Sequence, residues 1–248
     1  MQTPSRLLPL QGASNFRDLG GYAGQDDRRV RWRRLFRSDH LGGLTAEDHA
    51  AVQALGIRRA FDFRGVQESQ AQPYAVPGLV RHALSIEPTV AQEMLALAQA
   101  RLPMTPERMA SLMEDLYLRL VDHESARFAQ WFGHLLADDA PQVFHCTAGK
   151  DRTGLAAALL LRALGVPQPV VEADYLLTNA HYRRPPSHDS RVPDEALAVL
   201  WSVRPGFLRA ALDRIDTRHG GLHAYLEQRL KLRPAERARL AALYLEPA

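Results

Sequence analysis

The sequence predicts an α/β domain in which helices flank a central sheet. One sign is a short apolar run, QVFHC at 142–146, which a loop separates from LAAALLLRALGV at 155–166, a segment that is apolar nearly all round. Another is the apolar run IRRAFDF at 57–63, which follows a helical pattern. Apolar runs of strand length that alternate with helical periods are typical of α/β folds. Because the 248 residues contain no Gly/Ser-rich linker and no repeat, we expect one domain, 1–248.

The first third of the chain supplies the early strands and one helix. Residues 28–37, RRVRWRRLFR, resemble a hairpin edge strand, and we expect its arginines to be solvated. Thr45 and the acids after it form a capping box at a helix start, and Gly56 suits the left-handed cap that ends this helix. Strands are then predicted at 57–63, ending at Asp62, and at 81–86.

Segment 89–136 is predicted to be mostly helical, with a helix start at Thr105 because a proline follows it at the first helical position. Every methionine except Met1 lies between Met94 and Met113. Methionine adapts its shape and is common on surfaces that repack. Two explanations stay open: a mobile lid at 89–124 over a site, or a helix pair that fills an irregular gap in the core.

The rest of the chain predicts a strand, a loop, a buried helix and further helices. The strand at 142–146 leads through the loop into the apolar helix, which Gly165 and Pro167 end. This order aims a helix N-terminus at a ligand. Further helical patterns fill 169–181, 194–215 and 221–245, and an irregular surface loop is predicted at 185–193.

Composition excludes several classes of protein. Apolar residues make up 46% and charged residues 24% of the chain, which are ordinary values for a soluble globular protein. The N-terminus has no signal-peptide pattern, and no run approaches the roughly 20 apolar residues that span a bilayer, so stable membrane insertion is not expected. A single cysteine suits a reducing compartment, which favours a cytoplasmic location. Secretion without a signal peptide stays open.

The charge balance favours anionic ligands in general. The net charge is +3 and the isoelectric point is about 9.2. Nucleic acid is not expected as a partner, because the arginines lie among acids, as in RLKLRPAERARL, and no platform of aromatic and basic residues occurs.

The loop HCTAGKDRTG, 145–154, carries the candidate chemistry. Five residues separate the only cysteine, Cys146, from Arg152, and Gly149 lies between them. Backbone amides at a loop-to-helix junction can hold a phosphate, and Gly149 lets the loop curl. Arg152 adds a planar fork that can grip two phosphate oxygens. The spacing therefore predicts a loop that binds phosphate, or vanadate in its place, beside a cysteine.

Cys146 is the candidate nucleophile. A helix N-terminus and a nearby cation stabilise a thiolate, so we expect Cys146 to be charged at neutral pH. It would attack phosphorus and form a phosphocysteine intermediate. Thr153 could donate its hydroxyl to the sulfur, or it could cap the first turn of the helix. The prediction is a cysteine-dependent phosphatase that acts on phosphate monoesters.

The group that protonates the leaving oxygen stays open between two acids. Asp151, within the loop, could donate that proton and position the hydrolytic water, or it could pair with Lys150. Asp62, at the end of a predicted strand, is the rival, although pairing with Arg64 as a buried structural carboxylate suits it better. Lys150 either contacts substrate or is solvated, and His145 either tunes the thiolate or is a satisfied core residue.

The chain resembles the cysteine-based tyrosine phosphatase superfamily, whose signature is a cysteine with an arginine six positions on. HCTAGKDRTG is most similar to bacterial atypical tyrosine and lipid phosphatases with Lys and Asp before the arginine. NFRDLGGY, LFRSDHL, DFR and DYLLTN look like further blocks of that family, in its order, so the resemblance covers nearly the whole chain.

The resemblance implies a tyrosine-phosphatase-like fold with a mixed central sheet and a helical lid, matched here by 89–124. It also implies that Cys146 is the nucleophile, that Arg152 clamps the phosphate, and that the main chain of 147–152 cradles it. The implied substrate-binding residues are Thr147, Ala148, Gly149, Lys150 and Thr153.

Substrate class follows from the same resemblance. Lys150 and Asp151 match positions linked to broad substrate use, so phosphotyrosine in proteins is the expected substrate, with phosphoserine, phosphothreonine and phosphoinositides as further candidates. No Trp-Pro-Asp sequence occurs to supply the acid found in other tyrosine phosphatases.

Competing functions have less support. A nucleotide-binding loop fails because Asp151 follows Lys150 and Phe144 stands where the first glycine belongs. HExxH, CxxC and GxSxG are absent, so a zinc protease, a thioredoxin-like protein and an α/β-hydrolase lack support. No metal or cofactor is expected. The alternatives that remain are a catalytically inactive module that binds phosphorylated ligands and, from another class, a sulfurtransferase.

Overall fold

A computed structural model describes residues 4–184 and 192–248 of the chain. The strands are β1 (Arg17–Asp18), β2 (Arg28–Val30), β3 (Leu35–Ser38), β4 (Arg59–Asp62), β5 (Val80–Ala83), β6 (Gln142–His145) and β7 (Leu245–Pro247). The main sheet has the order β1-β3-β6-β4-β5, in which β1 runs antiparallel to β3 and the other neighbours are parallel. This is the mixed sheet that the sequence predicts. β2 and β7 form a separate antiparallel ribbon.

Helices flank the sheet throughout. They are α1 (Ala46–Ala54), α2 (Val66–Ala71), α3 (Val90–Gln99), α4 (Pro106–His123), α5 (Ser125–Leu135), α6 (Arg152–Ala163), α7 (Gln168–His181), α8 (Asp194–Trp201), α9 (Pro205–Arg218), α10 (Leu222–Gln228) and α11 (Pro234–Tyr244). Short 3-10 turns lie at Gln25–Asp27 and Leu41–Gly43. Within the described ranges, no helix combines the length and the apolar character needed to cross a lipid bilayer.

Alternation along the strands divides the core between the two faces of the sheet. On β4, Ala60 packs on the face that holds α1, while Phe61 packs on the face that holds α4 to α6. On β6, Val143 and Phe144 divide in the same way. Because successive strand residues point to opposite faces, each strand joins two apolar layers.

Several predicted boundaries are confirmed. Thr45 accepts a hydrogen bond from the Asp48 amide in a complete capping box before α1, and Gly56 has a φ of +72° just after that helix. Thr105 caps α4 with Pro106 at its first position.

The predicted edge strand at 28–37 is wrong. β2 leaves the main sheet to pair with β7, while β3 lies inside that sheet between β1 and β6. Arg37, which was expected in solvent, is fully buried. Its burial is possible because Asp174, far along the chain, neutralises its charge at 2.8 Å (Nη1–Oδ2).

The helical patterns at 194–215 and 221–245 are each divided into two helices. Pro205 and Pro234 occupy the first positions of α9 and α11. Proline cannot donate a helical hydrogen bond and keeps the residue before it out of the helical region, so each pattern is interrupted there. The predicted loop at 185–193 lies outside the described residues except for its last two positions.

The segment 89–124 contains two helices with different surroundings. α3 buries no residue fully, and Leu95 on it is 58% exposed. In contrast, α4 buries an apolar face that includes Met109 and Met113. The explanation by core packing therefore fits Met109 and Met113 of α4, whereas the lid stays a prediction for the rest of the segment.

Candidate active site

A tight loop joins the end of β6 to the start of α6. We name residues 146–151 the cysteine loop. Gly149 has a φ of +63°, and a Cβ on it would lie 2.3 Å from the Ser38 carbonyl oxygen. Only glycine fits this position, because any side chain would collide with β3 and disfavour the left-handed backbone.

The carbonyl groups of the cysteine loop are held by side chains and backbone behind it. Asn15 Nδ2 donates to the Ala148 and Gly149 oxygens, both at 3.2 Å, and Arg37 Nη2 donates to the Gly149 oxygen at 2.9 Å. The His40 amide donates to the Thr147 oxygen at 3.0 Å.

The amides of the same loop are not used in this way. No described residue accepts a hydrogen bond from the backbone amides of 147–152. Amides that lie at a helix N-terminus without protein acceptors form an anion site. The loop is thus built to present its donors to an anion.

A buried charge network supports the loop from below. Asp174 on α7 accepts from Arg37 at 2.8 Å and from the Tyr22 hydroxyl at 3.0 Å, and Arg17 Nη2 lies 3.9 Å from its carboxylate. Burial alone would raise the pKa of Asp174, but the charges of Arg17 and Arg37 outweigh it and hold that pKa below its usual value. The blocks NFRDLGGY, LFRSDHL and DYLLTN therefore meet beneath the cysteine loop.

Cys146 lies at a cavity of about 470 Å³ and is only 2% exposed. Thr147, Ala148, Lys150, Asp151 and Arg152 line the same cavity. Its other walls are mainly apolar and include Met94, Met113, Leu116, Leu197, Leu200 and Trp201. The structure thus brings together the loop residues that the sequence singles out. Gly149 lies on the side of the loop that packs against β3.

Glu68 on α2 holds the guanidinium of Arg152. Nη1 lies 2.5 Å from Oε2 and Nη2 lies 2.9 Å from Oε1, while Nη1 also donates to the Ile86 carbonyl at 2.9 Å. Burial would lower the pKa of Arg152, but the hydrogen bonds that it donates to Glu68 and the negative charge of that carboxylate raise it well above its ordinary value. Arg152 is therefore a fixed cation beside the sulfur.

Sequence analysis misses Glu68. Its carboxylate also accepts from the Thr147 hydroxyl and, at 2.7 Å, from the Gly65 amide. Burial would raise the pKa of Glu68, but the hydrogen bonds from Arg152 outweigh it and lower that pKa. The one available signal is an acid three residues after Gly65, which is the spacing of a capping box.

Asp151 lies at the edge of the cavity with a partner on each oxygen. The Tyr117 hydroxyl donates to Oδ1 at 3.0 Å, and Oδ2 lies 3.4 Å from Lys150 Nζ. Lys150 is not solvated: its side chain is 4% exposed, and Nζ donates to the carbonyls of Leu200 at 2.6 Å and Ser202 at 3.2 Å. Lys150 thus ties the loop to the C-terminal end of α8.

Asp62, the rival acid, is held in place by two arginines. Arg64 grips both of its oxygens at 2.8–2.9 Å, and Arg81 donates to it at 2.7 Å. Burial would raise the pKa of Asp62, but the hydrogen bonds and the charge of Arg64 outweigh it and hold that pKa far below its usual value. A carboxyl group that stays ionised has no proton to donate, so Asp62 does not suit the role of the acid.

His145 and Thr153 complete the predicted set. His145 is fully buried between the Tyr74 hydroxyl, 2.8 Å from Nε2, and the Cys146 carbonyl, 3.2 Å from Nδ1. Burial lowers the pKa of His145 to about 4, so the ring is neutral. The Thr153 hydroxyl is buried without a hydrogen-bond partner among the described residues, so it donates neither to the Cys146 sulfur nor to a cap.

Comparisons with known proteins agree with this site. The profile of the tyrosine phosphatase family matches residues 8–246. A protein of Cupriavidus necator, named provisionally as a tyrosine-protein phosphatase, is 34% identical over 238 residues, 92% of this chain and 86% of the relative. A tyrosine-protein phosphatase of Nostoc commune is 30% identical over 204 residues, 77% of this chain and 67% of the relative.

A third relative is also named as a phosphatase. The triple specificity protein phosphatase PtpB of Mycobacterium tuberculosis is 30% identical over 257 residues, 88% of this chain and 91% of the relative. The crystal structure of P. aeruginosa TpbA aligns with a TM-score of 0.33 and 15% identity over 77% of this chain and 96% of that chain, a likeness too low to carry an argument. With a family match across nearly its whole length and a cysteine loop of the expected geometry, the chain belongs to the tyrosine phosphatase family, enzymes that hydrolyse phosphoric monoesters.

Proposed function

We propose that the protein hydrolyses phosphotyrosine in proteins through a phosphocysteine intermediate on Cys146. The observation that carries the proposal is the cysteine loop, whose amides at 147–152 have no acceptor among the described residues while its carbonyls are held from behind. Three phosphate oxygens would accept from these amides and from Arg152. Preorganised donors of this kind stabilise the charge that develops on a transferring phosphoryl group.

In the first step, the Cys146 thiolate attacks phosphorus. The S–P bond forms as the bond between phosphorus and the leaving oxygen breaks, and Asp151 gives its proton to that oxygen. The amides of 147–152 and the guanidinium of Arg152 bind the phosphoryl oxygens throughout.

In the second step, water attacks the phosphocysteine. Asp151, now a carboxylate, takes a proton from the water as the new O–P bond forms and the S–P bond breaks. Inorganic phosphate and the Cys146 thiolate result, and Asp151 is protonated again. No metal or cofactor takes part in this proposal.

Apolar walls favour substrates with an aromatic group. Side chains such as Met113, Leu116 and Trp201 flank the cavity above Cys146, and they would bury the ring of phosphotyrosine. The relative named as a triple specificity phosphatase supports a wider range of protein substrates. Phosphoinositides stay a further candidate that rests on the resemblance of the loop to lipid phosphatases.

The single domain 1–248 and its lid are part of the proposal. Val90, Ala91 and Met94 of α3 line the cavity, yet α3 has no fully buried residue. Within 89–124, we therefore propose α3 as the part that moves when substrate enters.

A substrate panel with a cysteine variant tests the function. Wild type is expected to release phosphate from phosphotyrosine peptides in the presence of a chelator, and Cys146→Ser is expected to release none. Phosphoserine, phosphothreonine and phosphoinositide substrates define the range. Full activity of Cys146→Ser, or loss of wild-type activity with the chelator, contradicts the proposal.

The same panel separates the alternatives. An inactive binding module would bind phosphotyrosine peptides without releasing phosphate. A sulfurtransferase would consume thiosulfate and leave aryl phosphates intact.

A further inference from the structure

A chain of two tyrosine hydroxyls ends on the carboxyl group of Asp151. The Tyr117 hydroxyl on α4 lies 3.0 Å from Asp151 Oδ1 and 2.7 Å from the Tyr175 hydroxyl on α7. The two rings meet edge to face, with 6.2 Å between centroids and 86° between planes. Both residues are at most 1% exposed to solvent.

The direction of these hydrogen bonds follows from the chemistry of the groups. A carboxylate only accepts, so Tyr117 donates its single proton to Asp151. The Tyr117 oxygen then accepts from Tyr175. Burial and the charge of Asp151 raise the pKa of both phenols well above the ordinary value, so each keeps its proton at any working pH. The donors therefore point one way, from Tyr175 through Tyr117 to Asp151.

This arrangement gives the two carboxyl oxygens of Asp151 different partners, and only Oδ1 accepts a hydrogen bond from a tyrosine hydroxyl. Oδ1 is held by Tyr117, whereas Oδ2 faces Lys150, 3.4 Å away. Lys150 Nζ already donates to the carbonyls of Leu200 and Ser202, which fix its position. Rotation of the carboxyl group would break the Tyr117 bond and leave a buried hydroxyl without an acceptor, which is unfavourable.

We propose that Tyr117 is a positioning residue that holds the carboxyl group of Asp151 so that Oδ2 gives its proton to the leaving oxygen in the first step of hydrolysis. The proposal rests on the function proposed above, and on Asp151 as its acid and base. Tyr117 itself neither gains nor loses a proton: it donates to Oδ1 both when Oδ2 carries the proton and after Oδ2 has given it to the leaving oxygen.

Tyr117→Phe tests this role with little change to packing, because the ring and its contacts stay. General acid–base catalysis contributes about 10²- to 10⁴-fold, so loss of orientation is expected to lower kcat for phenyl phosphate by about tenfold. p-Nitrophenyl phosphate needs little protonation of its leaving group, so its kcat should fall by less than about threefold. KM is expected to stay within about twofold for both substrates, because Tyr117 lies outside the phosphate site.

Two more variants control for loss of a buried hydroxyl. Tyr225→Phe removes a buried hydroxyl on α10 that donates at 3.0 Å to the Val121 carbonyl. Val121 lies on α4, as Tyr117 does, but away from the cavity, so the kinetics of this variant should match those of wild type. Tyr175→Phe leaves the Tyr117–Asp151 bond in place. Its turnover should also fall more on phenyl phosphate than on p-nitrophenyl phosphate, but by a smaller factor than in Tyr117→Phe. If Tyr117→Phe does not fold, the Tyr175→Phe variant provides the test instead.

A double-mutant cycle with Asp151→Ala decides between positioning and structure. If Tyr117 acts through Asp151, then Tyr117→Phe should lower phenyl phosphate turnover little further once the carboxyl group is gone. An equal loss with and without Asp151, or an equal loss on both substrates, overturns the inference while leaving the proposed function intact. Activity that survives in Cys146→Ser instead overturns the proposed function.

Discussion

Arg37 and Asp174 form a buried ion pair beneath the cysteine loop, with 2.8 Å between Nη1 and Oδ2. The other end of the Arg37 guanidinium donates to the Gly149 carbonyl at 2.9 Å. One arginine therefore connects a carboxylate on α7 with the turn that positions Cys146, so the stability of the fold and the shape of the site depend on the same charges.

Replacing Asp174 with alanine is expected to destabilise the whole protein. Removal of one partner leaves Arg17 and Arg37 buried without a counter-charge, which costs about 3 kcal/mol of unfolding free energy. Urea denaturation measures this. Glu172→Ala is the matched control, because Glu172 pairs with Arg209 at 2.7 Å on the surface and should cost less than about 1 kcal/mol. Equal losses in the two variants would contradict the prediction.

Glu68→Gln is expected to weaken the phosphate clamp. Without the charge of Glu68, the Arg152 fork is less firmly oriented, and misplacement of a binding group is costly, so kcat/KM for aryl phosphates should fall about tenfold. Steady-state kinetics check this, with Glu172→Gln as a control that should stay within about twofold of wild type. An unchanged kcat/KM in Glu68→Gln would show that Arg152 needs no such partner.

Lys150→Met is expected to loosen the wall of the cavity that α8 forms. The variant removes the donor to the Leu200 and Ser202 carbonyls, so amide hydrogen exchange in α8 should become faster and KM for aryl substrates should rise. Lys231→Met serves as the control, since the exposed Lys231 donates only to the nearby Gln228 carbonyl at 2.9 Å. Unchanged exchange in α8 would contradict the prediction that Lys150 holds that helix.

His145 predicts a loss of stability in mild acid. Its pKa in the folded protein is about 4, below the value of 6.5 for an exposed histidine. The unfolded chain therefore binds one more proton than the folded chain between pH 6.5 and 4. Stability from the neutral ring is complete above pH 6.5 and falls with decreasing pH, by at most about 1.4 kcal/mol per pH unit.

Denaturation of wild type and His145→Gln at several pH values checks this. Glutamine can still accept from the Tyr74 hydroxyl but does not titrate, so the variant should lose less stability between pH 6.5 and 4. If the stability of the two proteins fell equally with decreasing pH, His145 would not be the group responsible.

Hydrogen exchange also tests α3 as the moving part of 89–124. The amides of α3 are expected to exchange at least about tenfold faster than those of the buried helix α6, because local openings need less energy where few apolar groups are buried. Vanadate should slow exchange in α3 if that helix closes over the loop. Exchange in α3 as slow as in α6 would exclude a lid.

The sequence predicts the local parts of the site better than its long-range support. The spacing of Cys146, Gly149 and Arg152 defines the loop because an anion site of this kind forms within a few residues. Arg37 could not be predicted as buried, since its partner Asp174 lies 137 residues away. Glu68 reaches Arg152 across 84 residues, and a lone acid at a helix start indicates capping before it indicates a clamp.

The presence of a single thiol in the chain has a practical consequence. Cys146 is the only cysteine, and it lines a cavity with mainly apolar walls. A thiol-directed aromatic reporter group can therefore attach at one position of the native protein, without removal of competing sulfur atoms by mutagenesis. Intact mass spectrometry would measure the fraction of molecules that carry the reagent. An inhibitor that fills the cavity should lower this fraction, so inhibitors can be ranked before any physiological substrate is known.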